Sequence, residues 1–276
     1  MASTPHDLPS WVDFLSHAEI PVLKHSAREI NHLQADEEAV TARGLTNIVN
    51  HDPLMAFRVL RYMQNHKRKN QLQDLVLVEQ AIMMMGITTF FRDLAPQPLV
   101  EAVLKTNLPA LTQLLRLINR ANRAAHYAFE WGVMLRDLHV DEVRVAALLH
   151  DLAEVLMWCF APEQMTLIHD KQLADKNLRS HQVQQEVFGF KLSDLQLRLI
   201  EVCQLPPLLA KLMNDSTCSE QQVKNVALAV NLARHSANGW QDAALPDDYR
   251  DIADLLRIDT ARAMQIVGAK PEITAV

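Results

Sequence analysis

Apolar residues recur at helical spacing along most of the chain. Between Pro53 and His66 they are connected by steps of three and four residues, at Leu54, Phe57, Val59, Leu60 and Met63. Asp52 and Pro53 precede this stripe, and they supply an N-cap and a proline suited to the first helical turn. The pattern therefore predicts a helix that begins at Pro53.

Two longer helices are predicted in the middle of the chain. One runs from Leu108 to about Leu138. The other runs from about Asp141 to Phe160, with an apolar stripe at Val145, Leu148, Leu149, Leu152 and Leu156. An earlier helix, from Gln71 to Met85, is expected to end at Gly86, since glycine commonly follows the last turn. Further helices are expected to begin near Pro162, Leu178, Ser193, Pro206, Ser219, Pro246 and Asp259.

Strand patterns of useful length do not occur, because no long segment alternates between apolar and polar residues. Only 6 glycines are present, and good helix formers such as Leu, Ala, Met, Gln and Glu dominate the composition. The sequence therefore predicts an all-α fold.

A linker is predicted between residues 94 and 109, where Pro96, Pro98 and Pro109 cluster. It separates an N-terminal helical lobe, residues 1–95, from a larger helical lobe, residues 96–240. Residues 241–276 would form a C-terminal helical extension. We find no tandem repeat and no low-complexity tract.

Composition and charge narrow the function classes. Hydrophobic residues make up 49% of the chain and charged residues 22%, which is typical of a folded domain and not of a disordered one. The formal net charge of -6 disfavours general binding to nucleic-acid phosphates, so we expect no nucleic-acid partner.

A membrane span is not expected, because no apolar run reaches about 18 residues. The polar N-terminus does not read as a signal peptide. Cys159, Cys203 and Cys218 are widely spaced and form no CxxC motif, which favours reduced thiols. These features together predict a cytoplasmic protein.

The strongest local chemical signal is the pair His150-Asp151. An imidazole and a carboxylate can converge on one metal ion, and a metal-dependent phosphohydrolase would add further ligands and an activated water. A His-Asp pair alone is a weak signal. Its ordinary alternative is a hydrogen-bonded pair on a helix.

The surroundings of this pair resemble a known family. The segment from Asp141 to Trp158, DEVRVAALLHDLAEVLMW, is similar to the central helix of the HD superfamily. Other segments resemble its HDOD branch in order and spacing. They are Ile20-Pro21-Val22-Leu23, Asp52-Pro53, the helix end at Asn65, Ala81-Ile82-Met83-Met84-Met85-Gly86, Phe188-Gly189-Phe190 and Leu205-Pro206. The resemblance runs from about Ile20 to about Asn238, and it implies an N-terminal helical lobe packed on an HD-type helical domain.

The resemblance also implies where the metal ligands of an active HD phosphohydrolase would lie. The first histidine of the family falls on Arg120, a second on Leu192, a histidine pair on Ser216 and Thr217, and a late aspartate on Asn231. Only His150 and Asp151 keep residues of the required type. The HD-type site of this chain is therefore predicted to be degenerate.

Ligand chemistry gives this departure its consequence. Leucine has no lone pair, and arginine brings a fixed positive charge to a place that would hold a cation. A catalytic divalent ion usually has at least three protein ligands. We therefore expect no metal and no other cofactor, with Arg120, His150, Asp151 and Asn231 as a vestigial or ligand-binding site. Asp151 could pair with Arg120 in place of the metal.

Displaced ligands are the alternative to a degenerate site. His126 lies one to two helical turns beyond Arg120, and Asp215 adjoins Ser216. Either residue could complete a metal site with His150 and Asp151.

Two functions follow from the resemblance. The first is a non-catalytic regulatory module of bacterial signal transduction, a pseudoenzyme that binds an unidentified signalling protein or a small ligand. The alternative is a metal-dependent phosphohydrolase or phosphodiesterase that acts on a nucleotide or a cyclic dinucleotide.

Three other clusters have ordinary interpretations. Met83-Met84-Met85 is expected in the core, although methionines also form binding surfaces. The basic run His66-Lys67-Arg68-Lys69 is expected to be a solvated loop. Arg116, Arg120 and Arg123 share one helix face, where they would form surface ion pairs or bind an anion.

Overall fold

The computed structural model describes residues 5–35, 40–66, 77–175, 178–214 and 220–269. Within these ranges the chain is helical and contains no strand. The single isolated bridge is parallel and pairs Val22 with Leu99, where the amide of Val22 donates to the carbonyl of Pro98 at 2.9 Å. The predicted all-α fold is confirmed.

The helices are short apart from α8. In chain order they are α1 Leu8–His17, α2 Lys24–Gln34, α3 Ala42–Val49, α4 Pro53–Asn65, α5 Val78–Met85, α6 Ile87–Asp93, α7 Val100–Val103, α8 Leu108–Met134, α9 Val140–Leu149, α10 Leu152–Phe160, α11 Pro162–Ala174, α12 Ser180–Phe188, α13 Leu192–Val202, α14 Pro207–Leu212, α15 Gln221–His235, α16 Leu245–Leu256 and α17 Thr260–Ile266.

Contacts between residues divide the chain into two compact units. Unit 1 consists of Met1–Ile118 and Asp151–Ala210, and unit 2 consists of Asn119–His150 and Lys211–Val276, in both cases within the described ranges. The predicted lobes 1–95, 96–240 and 241–276 follow chain order instead. As separable domains, these lobes stay a prediction.

Helices α4 and α10 form the core of unit 1. All residues from Pro53 to Leu60 are buried, as are all residues from Val155 to Cys159. α4 packs against α3, α5 and α10, and α10 packs against α11 and α13. The two central helices of the unit therefore come from distant parts of the sequence.

Charged side chains of α4 and its N-cap tie neighbouring segments of unit 1 together. The buried carboxylate of Asp52 accepts from the backbone amides of Leu54 and Leu23, both at 3.0 Å. The guanidinium of Arg58 donates to the carbonyls of Ala95 and Gln97. Arg61 donates to the last carbonyls of α1, which have no partner within that helix.

Helix α15 is the centre of unit 2. It packs against α9 on one side and α16 on another, and α17 packs against α16. His235 at the end of α15 lies 2.7 Å from Asp248 of α16, measured from Nδ1 to Oδ2. Burial raises the pKa of the Asp248 carboxyl. The hydrogen bond from His235 lowers this pKa, but by less than burial raises it.

Most predicted helix starts are confirmed. α4 begins at Pro53, and the helices from α11 to α17 begin within two residues of their expected starts. The expected first turn at Gln71 lies outside the described residues, and α5 ends at Gly86 as predicted. The extension of the long helix to Leu138 is wrong, because α8 ends at Met134.

A helix that crosses a membrane must be both long and apolar. Among the described helices, none alone is long and apolar enough to cross one. The segments Val140–Phe160 and Pro162–Ala174 are long and apolar enough only when taken together, and the chain bends by 114° between them.

Candidate functional site

The pair His150-Asp151 lies between two helices and not within one. His150 has helical backbone angles, φ -55° and ψ -40°, and follows the last residue of α9. Asp151 departs from them, with φ -102° and ψ 27°, and precedes the first residue of α10. The predicted continuous helix from Asp141 to Phe160 is therefore interrupted at the two residues with the strongest chemical signal.

A side chain from α13 binds the backbone at the interruption. The amide of Ala153 donates to Oε1 of Gln196 at 2.6 Å. In an uninterrupted helix this amide would donate to the carbonyl of Leu149. Gln196 is 7% exposed, so its amide group supplies a protein acceptor in a place largely closed to water. The backbone can then turn at Asp151 without leaving the Ala153 amide unsatisfied.

The other predicted site residues lie on three helices. Arg120 lies on α8 and Asn231 on α15, and both are half-buried in unit 2, which also contains His150. Leu192 is the first residue of α13 in unit 1, the unit that contains Asp151, and it is 5% exposed. Its backbone amide donates to Oε1 of Gln184 at 3.0 Å. Leu192 is thus part of the apolar packing of unit 1.

These residues do not fit a catalytic metal ion. Guanidinium and alkyl groups offer no lone pair to a cation, and the amide of Asn231 is a weaker ligand than a carboxylate. The resemblance assigns several positions to metal ligands. Among those that the structure describes, only His150 and Asp151 have side chains suited to bind a catalytic metal ion. Two such donors fall short of the usual three.

Neither of the two displaced-ligand candidates adds a metal donor to those that the structure describes. His126 on α8 has a side chain that is 65% exposed, and its Nε2 lies 3.9 Å from Glu130 Oε1. Asp215, Ser216 and Thr217 lie outside the described residues. Within the described ranges, no three or more His, Cys, Asp or Glu side chains are grouped so that they could hold a metal ion.

The arginine face of α8 does not form an open anion site at Arg123. Its guanidinium donates to Ser236 Oγ at 2.9 Å and to Tyr127 Oη at 3.2 Å, both in unit 2. Arg123 therefore joins α8 to the end of α15, whereas Arg116 is exposed on the part of α8 that belongs to unit 1.

Sequence interpretation was wrong for the methionine cluster. Met83 and Met84 are 65% and 53% exposed on α5, so they are not core residues. The basic run is described only at His66, which stacks on Tyr62, and the three residues that follow lie outside the described ranges.

The cysteines that the structure describes are buried, as expected for Cys159. Burial raises the pKa of both thiols, for Cys203 to about 11, and the nearby Arg61 guanidinium opposes the shift at Cys203. Neutral thiols at physiological pH are poor nucleophiles, so neither cysteine is a candidate catalytic residue. Cys218 lies outside the described residues.

Sequence reasoning missed Gln196. A glutamine on an apolar helix carries no local signal for a buried acceptor, and its partner is 43 residues away in the sequence. The one available hint was its position in α13, where leucines lie on both sides of it.

Comparison with solved structures supports the helical fold. The MmoQ response regulator from Methylococcus capsulatus str. Bath is similar with a TM-score of 0.64 and 17% identity, over 87% of this chain and 99% of that chain. A virulence factor from Campylobacter jejuni subsp. jejuni is similar with a TM-score of 0.66 and 14% identity, over 93% of this chain and 91% of that chain. Comparison with curated proteins gives no match.

A family model connects the fold with the sequence motifs. The HDOD domain model matches residues 20–217, which is more than half of the chain. The matched range contains the Asp52-Pro53 helix start, the interrupted helix at His150-Asp151 and the buried Leu192. This chain belongs to the HDOD domain family.

Proposed function

We propose that this chain is a non-catalytic regulatory module of signal transduction, which acts by binding a protein or a small ligand. The proposal rests on one observation. At the positions where an active HD phosphohydrolase would place ligands, the chain has a guanidinium, a buried leucine and an amide, at Arg120, Leu192 and Asn231. This donor chemistry supports binding without hydrolysis.

Membership of the HDOD family and the likeness to MmoQ are further support. MmoQ is named a response regulator, and its similarity covers nearly its whole length. A regulator needs a stable scaffold and a surface for its partner, and it needs no metal-activated water.

A hydrolysis assay tests the proposal against the phosphodiesterase alternative. The purified protein is incubated with bis(p-nitrophenyl) phosphate, and separately with a cyclic dinucleotide, in the presence of Mn²⁺. We expect the same product release from the wild-type protein, from Asp151→Asn and from buffer alone, since removal of a ligand has no effect where no metal-activated water forms.

The matched variant makes the opposite result decisive. Turnover by the wild-type protein that is lost in Asp151→Asn, while both proteins keep the same helical circular dichroism, would assign the chain to the metal-dependent phosphohydrolases.

A further inference from the structure

The connection between α15 and α16 in unit 2 contains the dipeptide Asn238-Gly239. It is the only Asn-Gly pair in the sequence. Asn238 ends a short 3-10 helix, Ser236–Asn238, which directly follows α15, and α16 begins at Leu245. The pair therefore lies between two helices that pack against each other.

The side chain of Asn238 is available for reaction. It is exposed to solvent, and its carboxamide has no hydrogen-bond partner among the residues that the structure describes. An exposed side chain without a partner exchanges rapidly between its rotamers. The carboxamide of Asn238 can therefore turn toward the backbone amide that follows it.

That amide belongs to Gly239, and the fold requires a glycine at this position. Gly239 has φ 123°, a backbone conformation that only glycine adopts without strain, and a Cβ there would lie 2.8 Å from Gln241 Oε1. The Gly239 amide donates to the carbonyl of Ser236 at 3.3 Å, which is longer than most N–H···O bonds in proteins. The nitrogen of Gly239 is thus held weakly and is not shielded by a side chain of its own.

We propose that Asn238 deamidates spontaneously in the folded protein, through a cyclic imide formed with the amide of Gly239. The Gly239 nitrogen gives its proton to hydroxide and attacks Cγ of Asn238. A bond forms between these two atoms, the bond from Cγ to the side-chain nitrogen breaks, and ammonia leaves. Glycine favours this ring closure because no Cβ crowds the attacking nitrogen.

Water then opens the imide at either of its two carbonyl carbons. Cleavage between the Gly239 nitrogen and Cγ gives aspartate with the original main chain. Cleavage between the same nitrogen and the carbonyl carbon of residue 238 gives isoaspartate, in which the main chain runs through Cβ and Cγ. The net reaction consumes one water and releases one ammonia, and both products carry a new carboxylate.

Deamidation at this position changes a helix contact of unit 2. The new carboxylate arises shortly after His235, whose imidazole bonds to Asp248 between α15 and α16. In the isoaspartate product, the main chain that connects these helices is longer by one carbon atom. The reaction needs no metal ion and no partner protein, so it is independent of the proposed regulatory function.

Peptide mapping by liquid chromatography and mass spectrometry tests the reaction. The full folded chain is incubated for weeks at physiological temperature, in a mildly alkaline buffer and in parallel in a mildly acidic one. The matched variant is Asn238→Gln, which keeps a neutral carboxamide but would have to close a larger ring. Asn31 and Asn47 are internal controls, since they are exposed but the amides that follow them lie within α2 and α3.

We expect the peptide that contains Asn238 to gain about 1 Da and to separate into two products, one of which is methylated by an isoaspartate methyltransferase. The alkaline buffer should accelerate the change, because the attacking nitrogen must lose its proton. Asn31, Asn47 and the glutamine of the variant should stay unmodified over the same period. An unmodified Asn238, or a rate no higher than that at Asn31, would overturn the proposal. So would a reaction at Asn238 that occurs only after the chain has been unfolded in guanidinium chloride.

Discussion

Gln196 of α13 is the residue that binds the backbone next to the candidate residue Asp151. Its Oε1 takes the amide of Ala153, and the helix that would have run through His150 and Asp151 is divided there. The acceptor binds the backbone two residues after Asp151, whose own angles depart from those of a helix. The start of α10, directly after Asp151, is thus tied to α13.

Loss of this acceptor should destabilise the protein. Gln196→Ala leaves the Ala153 amide without it in a buried environment, so we expect the free energy of unfolding to fall by about 1 to 3 kcal/mol. Urea denaturation measures the change. The control is Gln34→Ala, at an exposed position near the end of α2, which should stay within about 0.5 kcal/mol of the wild-type protein. Equal stability of the two variants would show that the bond contributes nothing.

The roles of some residues can be predicted from the local sequence, and the roles of others cannot. The role of Asp52 can be predicted, because an Asp-Pro pair before an apolar stripe is a local helix start, and the carboxylate caps α4 as predicted. The roles of Gln196 and Met83 cannot. The first acts through a residue far away in the sequence, and the exposure of the second depends on what packs on the other faces of α5.

Some helix ends can be predicted from the sequence, and others cannot. Proline and glycine mark the start of α11 at Pro162 and the end of α5 at Gly86, and both were predictable. Left-handed residues that are not glycine also end helices in this chain, at Arg136, Gln204 and Arg257. Arginine and glutamine are good helix formers, so the sequence predicts that the helix continues at residues where it ends in the structure. This explains why α8 is shorter than expected.

A pair of substitutions tests the cost of these left-handed ends. Arg257 has φ 55° after α16, and Arg257→Gly should raise the free energy of unfolding by about 0.5 to 1 kcal/mol, because glycine adopts this conformation without strain. Gly189 has φ 78° after α12, with open space where a Cβ would lie, so Gly189→Ala should lower it by about 1 kcal/mol through backbone strain alone. Thermal and urea unfolding measure both. Changes of the same sign in the two variants would contradict this account.

The whole molecule is the level at which sequence reasoning reached least far. The fold class and the family follow from periodicity and motif order, both of which are local. The compact units depend on contacts such as α4 with α10 and α1 with α13, which join segments far apart in the sequence. Unit 1 therefore combines Met1–Ile118 with Asp151–Ala210, whereas the proline-rich linker suggested a division in chain order.

The proposed function depends on how many side chains at the candidate site could bind a metal ion. The candidate site keeps His150 and Asp151, and the companions that the family resemblance assigns to them are Arg120, Leu192 and Asn231. The proposed binding role draws on these three residues, since a metal site would need donors from elsewhere.

Metal content is the most direct test of this account. The tag-free protein is produced in medium with Mn²⁺, Fe²⁺ and Zn²⁺ and analysed by inductively coupled plasma mass spectrometry beside His150→Ala. The account predicts far less than about one ion per chain in both proteins, because two donors do not retain a divalent ion through purification. About one ion per chain in the wild-type protein, lost in His150→Ala, would contradict it.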